Sequence, residues 1–305
     1  MFALAVQLAP VAASAQLGPV GLPPKQQLLF TSLTAGVWNP WGAQTDLIVH
    51  YRRRLWDSKK LLFGVSHVGA KLITRVNPAY VRVGFGVELQ PLAVLTLRAN
   101  YEHRGYFGTV GMLQSWPSPR AEHDDDTRSE RKRGGASYIT SGHQLTAQAI
   151  VRAKVGPIAI LNEFALHYFR LDLRPGDKVF YEAFYDTLTP GKGSVLINNA
   201  HLLYISSFGL IAGVRYTVVH AFYPDDWLRD ASGRLVENPN TPNHKIGPII
   251  GYTFKSSSKS FRAPTILLVL NWWLESRYRA GQQVSQALPY GIIAFTFSGD
   301  IWRQE

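Results

Sequence analysis

The chain has 305 residues, no cysteine and a net charge of +11 with a pI near 9.8, and it is 46% hydrophobic, 12% aromatic and 17% charged. The lack of cysteine excludes a disulfide framework, a thiolate metal site and a cysteine nucleophile, while so little charge beside so many aromatics excludes a disordered chain. No uncharged apolar run of about 18 residues follows the N-terminus, which argues against a helical membrane span, and the basic balance comes without a basic helix or nucleic-acid motif, so no nucleic-acid partner is expected.

Residues 1–15, MFALAVQLAPVAASA, are apolar and end in Ala13-Ser14-Ala15, the small-x-small pattern that precedes a signal-peptide cleavage site, although the basic n-region is missing. A lead over 16–26 follows. Residues 27–37 then alternate Leu29, Thr31, Leu33, Ala35 and Val37 against Phe30, Ser32, Thr34 and Gly36, the period of a strand. After the turn WNPWG, 44–55 set Leu47, Val49 and Tyr51 against Asp46, His50 and Arg52. WDSKK turns again, and 61–74 form a less regular strand blurred by glycines.

The clearest pattern is 79–103, AYVRVGFGVELQPLAVLTLRANYEH. Val81, Val83, Phe85, Val87 and Leu89 oppose Tyr80, Arg82, Gly84, Gly86 and Glu88. Leu95, Leu97, Ala99 and Tyr101 oppose Thr96, Arg98, Asn100 and Glu102. Gln90-Pro91 is the expected hairpin connection. A long loop, 104–138, carries the mixed charge run EHDDDTRSERKRGG, expected as a solvated surface segment. Strands follow at 141–155 and 158–170 around Gly156-Pro157. Loop 171–193, with a short strand of its own, precedes a hairpin of 195–206 and 209–221. Loop 223–243, rich in turn residues, leads to 244–255, 264–278 and a last strand, 290–298.

This makes about twelve strands with alternating short and long connections, and aromatics such as Trp38, Trp41, Tyr101, Tyr168, Trp272 and Tyr290 gather near strand ends. A soluble β-sandwich shows the same alternation with its apolar row turned inward. The charged rows and the loop rhythm favour an all-β, antiparallel up-and-down transmembrane β-barrel over 27–298, with a tail at 299–305. On hairpins such as 79–103 and the terminal strand YGIIAFTF, the chain resembles the Gram-negative outer-membrane β-barrels, porin-like in class, with no subfamily matched. The resemblance implies an outer-membrane location and contact with outer-membrane lipid and lipopolysaccharide. SGDIWRQE, continuing past the terminal aromatics, departs from the usual ending of that class.

In such a barrel the polar rows face the lumen. The candidates there are Arg52, Arg82, Arg98, Arg152 and Arg215, with Glu88, Glu102 and Glu163; Lys154, Lys245 and Lys255 add positive charge, Asp46 and Glu275 negative. The excess is basic, and twelve-stranded channels for acidic sugars are similar in having a basic lumen. A ladder of guanidinium groups can offer forked hydrogen bonds to carboxylate or phosphate. Alternatively, Arg and Glu pair across strands and fill a narrow barrel. Loop 171–193 either stays outside or folds inward as a constriction presenting Arg174, Lys178, Tyr181, Glu182, Tyr185 and Asp186. The leading expectation is a channel for small anionic solutes. A scaffolding barrel working with envelope-complex proteins, in a machine such as a polysaccharide-secretion apparatus, is the first rival. A lipid hydrolase using Ser141 and His143 is the second, and lacks the His-before-Ser order of the outer-membrane phospholipases. The nine histidines show no metal-ligand spacing, so neither metal nor cofactor is expected.

Overall fold

The computed structural model describes residues 23–60, 62–240, 242–280 and 288–304. The signal-like segment 1–15 and most of the lead lie outside the described residues. Along the chain the strands are β1 (Gln26–Trp38), β2 (Gly42–Arg54), β3 (His67–Val76), β4 (Tyr80–Leu92), β5 (Leu95–Phe107), β6 (Ser115–Trp116), β7 (Ile139–Val155) and β8 (Ile158–Leu171). They continue with β9 (Val179–Glu182), β10 (Thr187–Pro190), β11 (Lys192–Ile205), β12 (Leu210–Ala221), β13 (Asn243–Thr253), β14 (Arg262–Glu275) and β15 (Tyr290–Gln304). One helix, α1 (Asp125–Arg133), lies in the loop after β5.

Twelve of these strands close into an antiparallel barrel, all but β6, β9 and β10. β1 pairs with β15 from Gln26 opposite Gln304 to Trp38 opposite Gly291, which leaves the wall without an open edge. At one end the connections are 55–66, 93–94, 156–157, 206–209 and 254–261. The other end has two tight turns, 39–41 and 77–79, and four long loops, 108–138, 172–191, 222–242 and 276–289. Short periplasmic turns and long extracellular loops are the asymmetry of outer-membrane barrels, which orients the molecule.

Side-chain exposure decides between barrel and sandwich. Leu72 is 66% exposed and Phe85 60%, while Arg215 and Lys245 are 0% exposed. Apolar side chains point out and charged ones point in, the inverse of a soluble sandwich and the arrangement lipid requires. The chain is a transmembrane β-barrel with the turn-and-loop asymmetry seen in outer-membrane barrels.

Several boundaries differ from the sequence reading. Gln90 and Pro91 lie inside β4, at a register shift between Leu89 and Leu92, and the turn is Ala93-Val94. Proline has no N–H to give to a ladder, so an irregular position suits it. β3 starts at His67 rather than 61, because 55–66 form a longer connection. β15 runs through 299–304, the segment expected as a tail, held by its pairing to β1. β1 also reverses the facing rule: Leu33, Ala35 and Val37 are buried within the barrel, whereas Thr34 is exposed. The reason is that the inner wall has two halves. From β2 to β7 it is mostly polar and charged; on β8, from β11 to β15 and on β1 it is mostly apolar, with Leu161, Ile197, Leu203, Ile211, Ile249 and Ile292 in one buried cluster.

Candidate functional site

The interior of the polar half is organised in two tiers. In the periplasmic tier, one carboxylate holds several cations. Glu88 receives Lys71 Nζ at 2.7 Å and Arg98 Nε at 2.5 Å on Oε2, and His67 Nε2 at 2.8 Å and Arg52 Nη2 at 3.3 Å on Oε1. The ladder explains the meeting of Glu88 and Lys71. Glu88 stands opposite Gly69, and Lys71 opposite Gly86, so each long side chain lies over a glycine and reaches its diagonal neighbour. Arg152 sits beside this group, bonded to Thr96 Oγ1 and, at 3.3 Å, to Gln90 Oε1. One carboxylate among these cations leaves the tier positively charged.

In the extracellular tier, Arg75 bridges Asp46 at 2.6 Å and Glu102 at 2.7 Å. Arg82 and the Tyr80 hydroxyl both donate to Gln44 Oε1, at 3.0 and 2.7 Å. Gly84 makes room here, since a Cβ at that position would stand 2.9 Å from Glu102 Cγ and closer still to backbone. Arg104, packed over the rings of Tyr80, Tyr106 and Phe169, reaches Glu182 at 2.7 Å. Across the lumen Arg215 donates to Asn199 Oδ1 at 2.7 Å, while both carboxylate oxygens of the buried Glu163 lack a hydrogen-bond partner. Between these groups lies a cavity of about 70 Å³ lined by Arg75, Arg82, Glu102, Arg104, Glu163, His167 and Asn199. That holds a few waters.

A folded cap closes the extracellular mouth. β9 and β10 form a hairpin with β6 alongside in the order β10-β9-β6. The hairpin turn, Ala183–Asp186, enters the barrel, where Tyr185 stacks on His167 and Phe184 meets Tyr80. α1 lies against this sheet with Arg128 over Tyr181 and Arg131 over Trp116. The loop after β14 locks the assembly: Arg279 reaches Asp125 at 2.5 Å and Asp186 at 3.0 Å, and Arg277 reaches Glu122 at 2.9 Å. Burial opposes the charge on Asp186, yet Arg279 and the Tyr181 hydroxyl keep its carboxyl below the usual range. Burial also lowers His123, set among Trp116, Tyr181 and Tyr278, to about 4.

Of the lumen candidates, Arg52, Arg82, Arg98, Arg152, Arg215, Glu88, Glu102 and Glu163 all face inward. They divide among the two tiers and the Arg215–Asn199 group rather than forming one continuous ladder. Glu275 and Lys255 do not join them: Glu275 is exposed at the rim, 3.8 Å from His244, and Lys255 lies past the end of β13. Of the loop residues, Tyr181, Glu182, Tyr185 and Asp186 are buried in the cap, with Tyr181 donating to Asp186. Arg174 and Lys178 stay on its surface, over the Tyr138 and Trp227 rings. Sequence reading missed Lys71, Arg75 and Arg104. Lys71 and Arg75 lie two turns of the pleat apart in HVGAKLITRV, and Arg104 extends the row of Arg98, Asn100 and Glu102 by one step. Ser141 and His143 lie on the outer face, where His143 Nδ1 meets the Tyr101 hydroxyl at 2.6 Å.

No family model matches the chain, and no curated protein sequence matches it. Solved structures similar to it include the translocator domain of the autotransporter NalP from Neisseria meningitidis, at 11% identity and a TM-score of 0.40, covering 97% of this chain and 95% of that one. A FadL homologue from Pseudomonas aeruginosa aligns at 9% identity and a TM-score of 0.40 over 95% and 94%. LpxR from Salmonella typhimurium aligns at 12% identity and a TM-score of 0.37 over 89% and 99%.

Proposed function

We propose that the protein is a gated outer-membrane channel for small anionic solutes, seen with its cap seated. The observation that carries this reading is the periplasmic tier, where Arg52, Lys71, Arg98 and His67 share the single carboxylate of Glu88. A solute carboxylate or phosphate entering there replaces part of a bond set already built for an anion, and charge-assisted forks supply the affinity. Passage requires the cap to leave. It is held inside the mouth by Arg104 on Glu182 and by Asn243 on the Asp186 carbonyl, and at the rim by Arg277 and Arg279.

Planar-bilayer recording tests the reading. Wild-type protein is expected to conduct rarely, and Arg279→Ala to raise the open fraction severalfold with anions preferred over cations. Arg98→Gln in that background is expected to lower the preference. If the uncapped barrel passes no current, the reading is wrong. The second reading, a closed barrel serving as a scaffold for envelope proteins, is favoured by the apolar half of the inner wall, which packs like a protein core. Co-purification of the same partners with wild-type and Arg279→Ala protein would support it.

A further inference from the structure

The outer face of the barrel is not uniformly apolar. Near the looped end, four consecutive wall strands place a basic side chain on the same ladder row: His103 stands opposite His143, His143 opposite Arg170, and Arg170 opposite Lys192. All four residues are exposed. His103, His143 and Arg170 lie on the row that points away from the lumen, since their neighbours along the strand, Glu102 and Arg104, Gly142 and Gln144, Phe169 and Leu171, are buried, and Lys192 shares the outward parity of Leu202 and Tyr204 on β11. Just below come Tyr101, Leu145, Tyr168 and Ser194 on the next outward row, and Leu166 and Leu196 beneath them, where the apolar belt starts, with tyrosines at the boundary as interfaces favour. Among the described residues no carboxylate stands within ion-pairing distance of Arg170 or Lys192. The His143 ring is held by Tyr101, 2.6 Å from its Nδ1, and packs 5.1 Å from the His103 ring, which leaves its Nε2 to a ligand.

We propose that this row binds the phosphate groups of a phosphorylated lipid in the leaflet at the looped end of the barrel. Its position carries the argument. The four side chains stand where hydrocarbon gives way to headgroups, on the lipid side of the wall, beyond the reach of a solute inside the lumen. Arg170 offers a fork for phosphate oxygens, Lys192 a point charge, and the two imidazoles further N–H donors. Fixed cations at a membrane surface attract anionic headgroups, and neighbouring tyrosines pack against the first carbons of the acyl chains. The same row is poorly suited to a protein strand, because the wall is closed and offers no unpaired ladder. The inference depends on the barrel's orientation and not on what the lumen passes.

Full-length protein in a nonionic detergent, mixed with diphosphorylated lipid A and weighed by native mass spectrometry, tests it. Wild-type protein is expected to retain the lipid, and the double variant Arg170→Gln with Lys192→Gln to lose about tenfold in retention. Arg170→Lys should restore part of the loss. Arg53→Gln, on the outer face at the opposite rim, should change nothing. Heat-modifiable migration on a gel shows that each variant is folded; should the double variant fail, Lys192→Gln alone is expected to lose about threefold. Equal retention of dephosphorylated lipid A, or an unchanged double variant, overturns the proposal. Displacement of the lipid by millimolar inorganic phosphate alone would also overturn it, as it would mark a free-phosphate site instead.

Discussion

At the scale of single residues, Glu88 is the position on which most charge depends. Lys71 is buried against it and would lose its ion-pair partner in Glu88→Gln, and Arg98 would lose its bond to the same oxygen. Removing one partner of a buried pair costs about 3–5 kcal/mol, so this variant should unfold at markedly lower urea than wild type when folded and unfolded bands are resolved on a gel. Arg98→Gln leaves Glu88 with three partners and should cost far less. The alternation of β4 and β5 already placed Glu88 and Arg98 on inward rows. What it could not place was Lys71, because that contact comes from the register that sets Glu88 opposite Gly69, and no single strand encodes the offset of its neighbour. A second residue-scale test lies outside the barrel. Asn162 and Asn198 satisfy each other's amides on the outer face, Asn198 Nδ2 to Asn162 Oδ1 at 2.9 Å and the reverse at 3.2 Å. Asn162→Leu alone should destabilise the fold by about 1–3 kcal/mol, and Asn162→Leu with Asn198→Leu by much less, because the orphaned amide is the main cost.

At the scale of elements, the cap is where sequence reading fell short. EHDDDTRSERKRGG was expected as solvated loop, yet Asp124 caps α1 by accepting from the Thr127 N–H at 2.7 Å. Asp125 and Asp126 occupy the first turn, and Arg131, Lys132 and Arg133 the last, the charge order a helix dipole favours. That order was legible. The docking was not, since no residue of α1 is buried and no apolar stripe announced a packed helix. Asp124→Ala should therefore loosen the cap by about 1 kcal/mol, seen as faster proteolysis within 108–138. His123 gives the cap a pH dependence. Its folded pKa lies near 4, below the value of about 6.5 for a free histidine. Protons then bind the undocked state more readily, so the histidine's contribution is intact above about pH 6.5 and is lost progressively as pH falls toward 4. At pH 5 the loss is about 2 kcal/mol. Proteolysis of the cap should accelerate between pH 7 and pH 5, and His123→Gln should flatten that part of the profile.

At the scale of the whole molecule, strand number, antiparallel order and the outward apolar rows were all readable, because period-two alternation and loop length are local properties of the chain. The two-faced interior was not. Leu33, Ala35 and Val37 look like any lipid-facing row until the closure of β1 against β15 shows which way they point. An arginine in place of Leu72, near the middle of β3 on the outer face, should cost about 2–4 kcal/mol in refolding from urea into lipid vesicles. The seam itself has a further consequence. Because Gln26 and Gln304 are ladder partners, the first wall strand begins and the last one ends side by side, at the end of the barrel away from the cap. A biotin-acceptor peptide fused after residue 304 should stay hidden from streptavidin added to intact cells, whereas the same peptide spliced into 230–234 should be labelled at once.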